Sequence, residues 1–136
     1  MEEIIWYGND GGKERAKYRP EGSEVKVRLR ERKNKGTLFT RLEITFYNDS
    51  DQKISHTGRC FVGVYFGNPK EIFFKEADNN RGYKIYAPRG TVKGTKMVGC
   101  VVRQPMNKND WEGYYLLTYD TLKDMWRINI ANRMAE

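Results

Sequence analysis

Hydrophobic and polar residues alternate along most of this 136-residue chain, a pattern typical of strands that bury one face. The alternation is clearest over residues 23–32, where valines and a leucine are separated by charged residues, and it resumes over residues 37–47. The four residues between these runs, 33–36, are Lys-Asn-Lys-Gly, and asparagine and glycine favour tight hairpin turns. The sequence therefore predicts a β-hairpin here.

Shorter alternating runs, separated by Gly, Asn, Asp and Pro, predict several more strands. The longest of them covers residues 53–66, and Gly58 and Gly63 within it indicate a bulge or sharp bend. We expect the last run, 125–131, to form a strand that pairs with the run before it, 112–119. The predicted runs are 4–7, 53–66, 71–76, 82–87, 96–103, 112–119 and 125–131.

The stretch from 120 to 135 supports two predictions. Trp126 and Ile128 alternate with polar residues as in a strand, whereas Leu122, Trp126 and Ile130 also have helical spacing. The strand is favoured, because the chain contains few alanines and alanine is the strongest helix former. A short C-terminal helix is the alternative.

These runs predict the fold class. Eight or nine short antiparallel strands joined by tight turns indicate an all-β barrel or sandwich. A chain of 136 residues has the usual length of one domain, so we expect residues 1–136 to form a single β domain.

Positive charge is concentrated in two stretches of the chain. The formal net charge is +7. Residues 13–41 contain eleven Lys or Arg against four Asp or Glu, and residues 79–109 contain seven Lys or Arg and no acid. Segregation on this scale favours a polyanionic partner, although charged residues on the polar side of a strand can also form only a solvated surface.

The second basic stretch interleaves its cations with tyrosines. Cations bind phosphates, and aromatic rings stack on unpaired bases. The sequence therefore predicts a binding face for nucleic acid in which Tyr83 or Tyr86 stacks on bases, with Phe39 as a further ring. Because Tyr83 and Tyr86 are three residues apart, one of the two is expected in the core. The candidate nucleic-acid-binding residues are Arg28, Arg30, Arg32, Lys33, Lys35, Arg81, Tyr83, Lys84, Tyr86, Arg89, Lys93 and Lys96.

Catalytic chemistry has little support in the sequence. His56 is the only histidine, and its position in the predicted long strand puts it on the same face as Cys60 near the core. Cys60 and Cys100 are expected to be buried free thiols, and one histidine with two distant cysteines does not make a zinc site. We therefore expect no enzyme activity, cofactor or bound metal.

These observations favour a non-catalytic nucleic-acid-binding β-barrel domain, with single strands preferred over duplexes. Two alternatives stay open: an accessory protein of viral or mobile-element type that docks on an acidic partner, and a β-barrel that binds a small anionic ligand such as a nucleotide. The acidic start of the chain lacks the basic region of a secretory signal, and the longest apolar run has six residues. The expected location is the cytoplasm, without membrane association.

Overall fold

Nine strands in two antiparallel sheets form the framework of the structure, a computed structural model that describes residues 19–78 and 80–135. The predicted all-β class is confirmed, in its sandwich form. The predicted strand at 4–7 lies outside the described residues. The strands are β1 (Val25–Asn34), β2 (Thr37–Phe46), β3 (Arg59–Tyr65), β4 (Glu71–Glu76), β5 (Tyr83–Lys84), β6 (Lys96–Val102), β7 (Gly113–Tyr115), β8 (Thr118–Asp120) and β9 (Met125–Asn129).

Sheet 1 has the strand order β6-β2-β1-β7 and is built around the predicted hairpin. The strands β1 and β2 pair from Val25 opposite Phe46 to Asn34 opposite Thr37. The two-residue turn between them places Lys35 at φ 52° and Gly36 at φ 82°. Positive φ at both turn positions matches the right-handed twist of the flanking strands, so the turn determines the register of the hairpin.

Sheet 2 has the strand order β5-β3-β4-β9-β8. The run predicted as one strand over 112–119 is divided: β7 pairs with β1 in sheet 1, and β8 pairs with β9 in sheet 2. Buried Leu117 lies where the chain crosses between the sheets, and its N–H donates to Glu24. The expected pairing of the last strand with this run is therefore correct only for β8.

The core fills the space between the two sheets. Phe46 of sheet 1 and Phe74 of sheet 2 meet edge to face with their ring centroids 5.5 Å apart. Cys60 and Cys100 are both buried and free, as expected. Burial raises the pKa of Cys60 to about 12 and that of Cys100 to about 11, so both thiols stay protonated and unreactive near neutral pH.

The predicted long strand over 53–66 is wrong in its first half. A 3₁₀ turn, Ser50–Lys53, is followed by a loop, and β3 begins only at Arg59. In the loop, the Ser55 hydroxyl donates to the Arg59 carbonyl and the Thr57 hydroxyl donates to the Ala77 carbonyl. Such side-chain hydrogen bonds to the backbone compete with strand pairing.

Two further predictions about this segment are corrected. His56 lies exposed in the loop instead of near the core, and its backbone N–H donates to Glu76. Gly63 causes no bulge, because β3 and β4 pair without interruption from Cys60 to Tyr65. Gly58, at φ 79°, lies in the turn that precedes β3.

The favoured strand at the C-terminus is confirmed as β9, which ends at Asn129, two residues earlier than predicted. A short 3₁₀ turn, Ile130–Asn132, follows, and the Asn129 side chain accepts the N–H of Ala131. Helical structure also occurs in the single turn α1 (Lys108–Trp111). The predicted strand over 82–87 shrinks to β5, and an isolated bridge between Tyr86 and Met97 joins the edges of the two sheets.

Candidate nucleic-acid interface

The outer face of sheet 1 carries five cations, and we call it the arginine face. Alternation along β1 and β2 buries both valines, Leu29, Leu42 and Ile44 and turns their charged neighbours outward. Residues directly opposite each other in antiparallel strands share a face, so the side chains of β1 and β2 form one surface. The five cations are Lys26, Arg28, Arg30, Arg32 and Arg41.

A carboxylate in the middle of the arginine face binds two of these cations. One carboxylate oxygen of Glu43 lies 2.6 Å from the Arg30 Nε and the other lies 3.3 Å from the Arg41 Nε, and the Glu43 side chain is only 7% exposed. Arg41 lies across Gly99 of β6, where a Cβ atom would come within 2.4 Å of the guanidinium. The centre of the arginine face is therefore compensated by its own acid.

The predicted residues Lys33 and Lys35 lie at the exposed tip of the hairpin, where the whole segment 31–38 is exposed. This segment extends past the buried part of sheet 1. Lys33 and Lys35 therefore lie away from the core, at the exposed end of the hairpin.

The outer face of sheet 2 is different, and we call it the aromatic face. It presents Phe61 and Tyr65 of β3 and Phe73 of β4, with Phe61 37% and Tyr65 49% exposed. In the register of these strands Phe61 lies opposite Lys75 and Gly63 lies opposite Phe73, so rings and a lysine share the surface. Together with Met125 they line an open groove of about 480 Å³.

Cations lie directly beside these rings. The Arg81 guanidinium is 5.8 Å from the centre of the Phe61 ring, and the Lys123 ammonium is 4.7 Å from that of Phe73. Among the described residues, neither these two nor Lys75 has a carboxylate within 4.0 Å. Their charge is available to a ligand.

The carboxylates of sheet 2's outer face are already occupied. Arg127 contacts Glu71 at 2.6 Å and Asp120 at 3.6 Å. The backbone N–H groups of Lys123 and Leu122 also donate to Asp120, and hydrogen bonding to Lys123 is the main cause that holds the Asp120 pKa below its ordinary value. A single arginine thus contacts both acids at one side of the face.

The predicted residues of the second basic stretch are distributed over several surfaces. Arg81 belongs to the aromatic face, and Lys84 of β5 pairs with Arg59 at its border. Lys96 forms an ion pair with buried Asp51 at 3.3 Å, while Arg89 is exposed in the loop before β6. Lys93 lines a separate groove on the other side of the sandwich.

The expectation that Tyr83 or Tyr86 enters the core is wrong. The two rings are 42% and 36% exposed, and Ile85 between them is the buried residue. Strand β5 contains only Tyr83 and Lys84, so strict alternation between the two faces does not continue to Ile85 and Tyr86. Tyr83 lies opposite Cys60, away from the aromatic face, and the Tyr86 hydroxyl donates to the Met97 sulfur.

The sequence does not predict a role for the rings of the aromatic face. Phe61, Tyr65 and Phe73 lie in predicted strands without a predicted function, and Lys75 and Lys123 fall outside both basic stretches. The sequence of β3 does contain an indication of this face, because apolar residues occur on both sides of the strand. Cys60 and Val62 are on one side, and Phe61 and Tyr65 are on the other. A strand in a two-layer sandwich that is apolar on both faces exposes one of them.

Residues 19–78 and 80–135 contain no cluster of three or more His, Cys, Asp or Glu with the geometry to hold a metal ion. Within the same ranges, no helix has the length and apolar character needed to cross a membrane.

Comparison of this chain with protein-family models, with curated proteins and with solved structures found no match.

Proposed function

We propose that this protein binds single-stranded nucleic acid through the aromatic face. The observation that carries the proposal is the placement of Phe61, Tyr65 and Phe73 on one open sheet surface beside Arg81 and Lys123. Aromatic side chains on a sheet offer flat surfaces on which unpaired bases stack, and nearby cations bind the phosphates between them.

The spacing of the rings suits a strand of nucleotides rather than one base. Tyr65 lies four positions after Phe61 in β3, which corresponds to about 13 Å along a strand. Phe73 lies between them on the neighbouring strand, opposite Gly63. Because Gly63 has no side chain, the Phe73 ring is not covered from the side of β3.

Single strands are favoured over duplexes for a geometrical reason. The faces of paired bases are covered by their neighbours in the duplex, so aromatic rings on the surface of a sheet reach only bases that are already unstacked. Among the residues that the structure describes, the centre of the arginine face has no comparable row of exposed rings beside uncompensated cations.

The docking of an acidic protein and the binding of a small enclosed ligand gain less support. Cations alone would suit an acidic partner, and the exposed rings of Phe61 and Tyr65 and the half-buried ring of Phe73 would then have no specific task. An enclosed ligand needs internal space, whereas the residues between the sheets, such as Phe46 and Phe74, pack against each other.

The test is fluorescence polarisation with labelled single-stranded DNA and RNA oligonucleotides and with the matching duplexes, over a series of salt concentrations. We expect tighter binding of single strands, which weakens as salt increases because bound cations release counterions. The variant F61A/Y65A should lose about tenfold or more in affinity, since stacking contributes about 1–3 kcal/mol per base.

The matched control is F39A/V101A, which removes two apolar side chains from the outer face of sheet 1. It should bind single strands as the unmodified protein does. Circular dichroism and thermal unfolding verify that both variants fold. Equal affinity for single strands and duplexes, or equal losses in the two variants, would contradict the proposal.

A further inference from the structure

A second groove lies on the opposite side of the sandwich, at one end of sheet 1. We call it the tyrosine groove. Tyr47 follows directly after β2, and Tyr114 of β7 lies opposite Lys26 of β1, so both rings and the lysine meet there. The ring centroids of Tyr47 and Tyr114 are 6.5 Å apart with 27° between the planes. The groove has a volume of about 420 Å³, within the general range of small-molecule sites.

Cations from both basic stretches of the chain meet in the tyrosine groove. The Arg19 guanidinium stacks 4.1 Å from the centre of the Tyr47 ring, and the Lys26 ammonium lies 5.5 Å from that of Tyr114. Lys93 lines the groove from the loop before β6. Within the described residues, no carboxylate comes within 4.0 Å of these three cations.

The remaining lining is neutral and includes Gly90 and Val92. Asn48, Thr91 and Thr95 contribute an amide and two hydroxyls, and the lining contains no Asp or Glu. The Asp49 carboxylate lies beside Gly94 in the turn next to the groove. Burial, and to a lesser extent Tyr114, raises the pKa of Tyr47 to about 12, so its hydroxyl stays protonated and can donate a hydrogen bond.

We infer that the tyrosine groove binds a terminal phosphate group, that is, a phosphomonoester. A phosphomonoester carries a charge of about −1.5 to −2 at neutral pH, which three uncompensated cations suit better than the single charge of a phosphodiester. The Tyr47 ring covers one side of the Arg19 guanidinium, and among the described residues the Arg19 N–H groups have no carboxylate partner, so they can make a bidentate contact with phosphate oxygens.

This inference goes beyond the proposed function, because the tyrosine groove and the aromatic face lie on opposite outer faces of the sandwich. The phosphate can come from two sources with the same chemistry. One is a small phosphorylated molecule such as a nucleoside monophosphate, and the other is the phosphorylated end of a nucleic-acid strand.

The first experiment separates phosphate recognition from base recognition. Thermal unfolding and isothermal titration are carried out at low salt with adenosine monophosphate, inorganic phosphate and adenosine. A ligand that binds only the folded state raises the unfolding temperature. We expect both phosphates to bind and adenosine to have no effect. Equal effects of adenosine and its monophosphate, or no binding of either phosphate, would overturn the inference.

The second experiment locates the site. The variant K26A/K93A should lose about tenfold or more in affinity for the monophosphate, since hydrogen bonds to charged groups are strong. The control K33A/K108A removes the same charge from exposed positions outside the groove and should bind normally. If K26A/K93A does not fold, the single loop variant K93E serves instead. Unchanged affinity in the groove variant, or equal losses in both variants, would overturn the inference.

The third experiment identifies the source of the phosphate and separates this site from the aromatic face. Oligonucleotides with and without a 5′-phosphate are bound to the variant F61A/Y65A, in which stacking is weakened. Tighter binding of the phosphorylated strand supports recognition of strand ends, and binding of the monophosphate alone supports a small ligand. If F61A/Y65A loses monophosphate affinity together with strand affinity, the groove is not a separate site and the inference fails.

Discussion

The arginine face and the aromatic face are outer surfaces of the same sandwich, and their cations differ in what surrounds them. On the arginine face the acid lies at the centre, where Glu43 binds Arg30 and Arg41. On the aromatic face Arg127 binds both acids at one side, so Lys75 and Lys123 stay free beside the rings. The number of cations therefore does not mark the candidate interface. Their carboxylate partners and neighbouring rings do.

Charge reversal should separate the two faces most strongly. The variant K75E/K123E is expected to lower the affinity for single strands about 100-fold or more at low salt, because it removes two phosphate contacts and adds repulsion. The slope of log affinity against log salt should fall by about 0.7 for each lost contact. Fluorescence polarisation over a salt series measures both quantities.

The control for this prediction is R28E/R32E, which reverses two exposed charges of the arginine face. We expect a loss several times smaller, with a salt slope close to that of the unmodified protein. Equal losses from the two faces would remove the distinction between them.

Removal of the central acid should destabilise the arginine face. Glu43→Gln leaves Arg30 and Arg41 without their shared carboxylate partner, and loss of such a partly buried partner costs about 1–3 kcal/mol. The matched variant Glu71→Gln should cost less, because Arg127 retains Asp120. Urea unfolding of both variants measures the difference. A larger loss for Glu71→Gln would reverse the comparison.

The tyrosines that the sequence suggests as stacking residues provide a finer test. Y83A/Y86A removes two rings that lie at the sheet edge, away from the aromatic face. We expect a change in single-strand affinity of about threefold or less, well below the loss in F61A/Y65A, because each lost stack on the aromatic face costs about 1–3 kcal/mol. A larger effect of Y83A/Y86A would move the interface to β5.

The smallest expected difference concerns one outward glycine on each face. Gly63→Ala should raise the free energy of unfolding by about 0.5–1 kcal/mol, since alanine loses less chain entropy than glycine and its Cβ meets only Phe73 at 3.9 Å. Gly99→Ala should gain less or nothing, because its Cβ displaces Arg41 from its position across β6. Urea unfolding measures the free energy of unfolding of both variants. An equal increase in the two variants would show that Arg41 moves without cost.

Local pattern was sufficient for much of the fold. The hairpin of β1 and β2 follows from alternation on both sides of a Lys-Gly turn, and both signals act between neighbours in the chain. The loop at 54–58 shows where local pattern fails. Thr57 alternates like a strand residue, but its hydroxyl bonds to the carbonyl of Ala77, which is twenty residues away. That partner becomes available only when the chain has folded.

The candidate interface depended on the tertiary structure to a greater extent. From the sequence alone, the all-β class and the excess of cations were determined, because alternation and charge belong to single residues and their neighbours. The face that presents free cations was decided by strand register. Register brings Glu43 to Arg30 and Arg41, brings Glu71 and Asp120 to Arg127, and leaves Phe61 and Tyr65 uncovered. The energy of a charge depends on its distance from the opposite charge, and only the folded chain sets that distance.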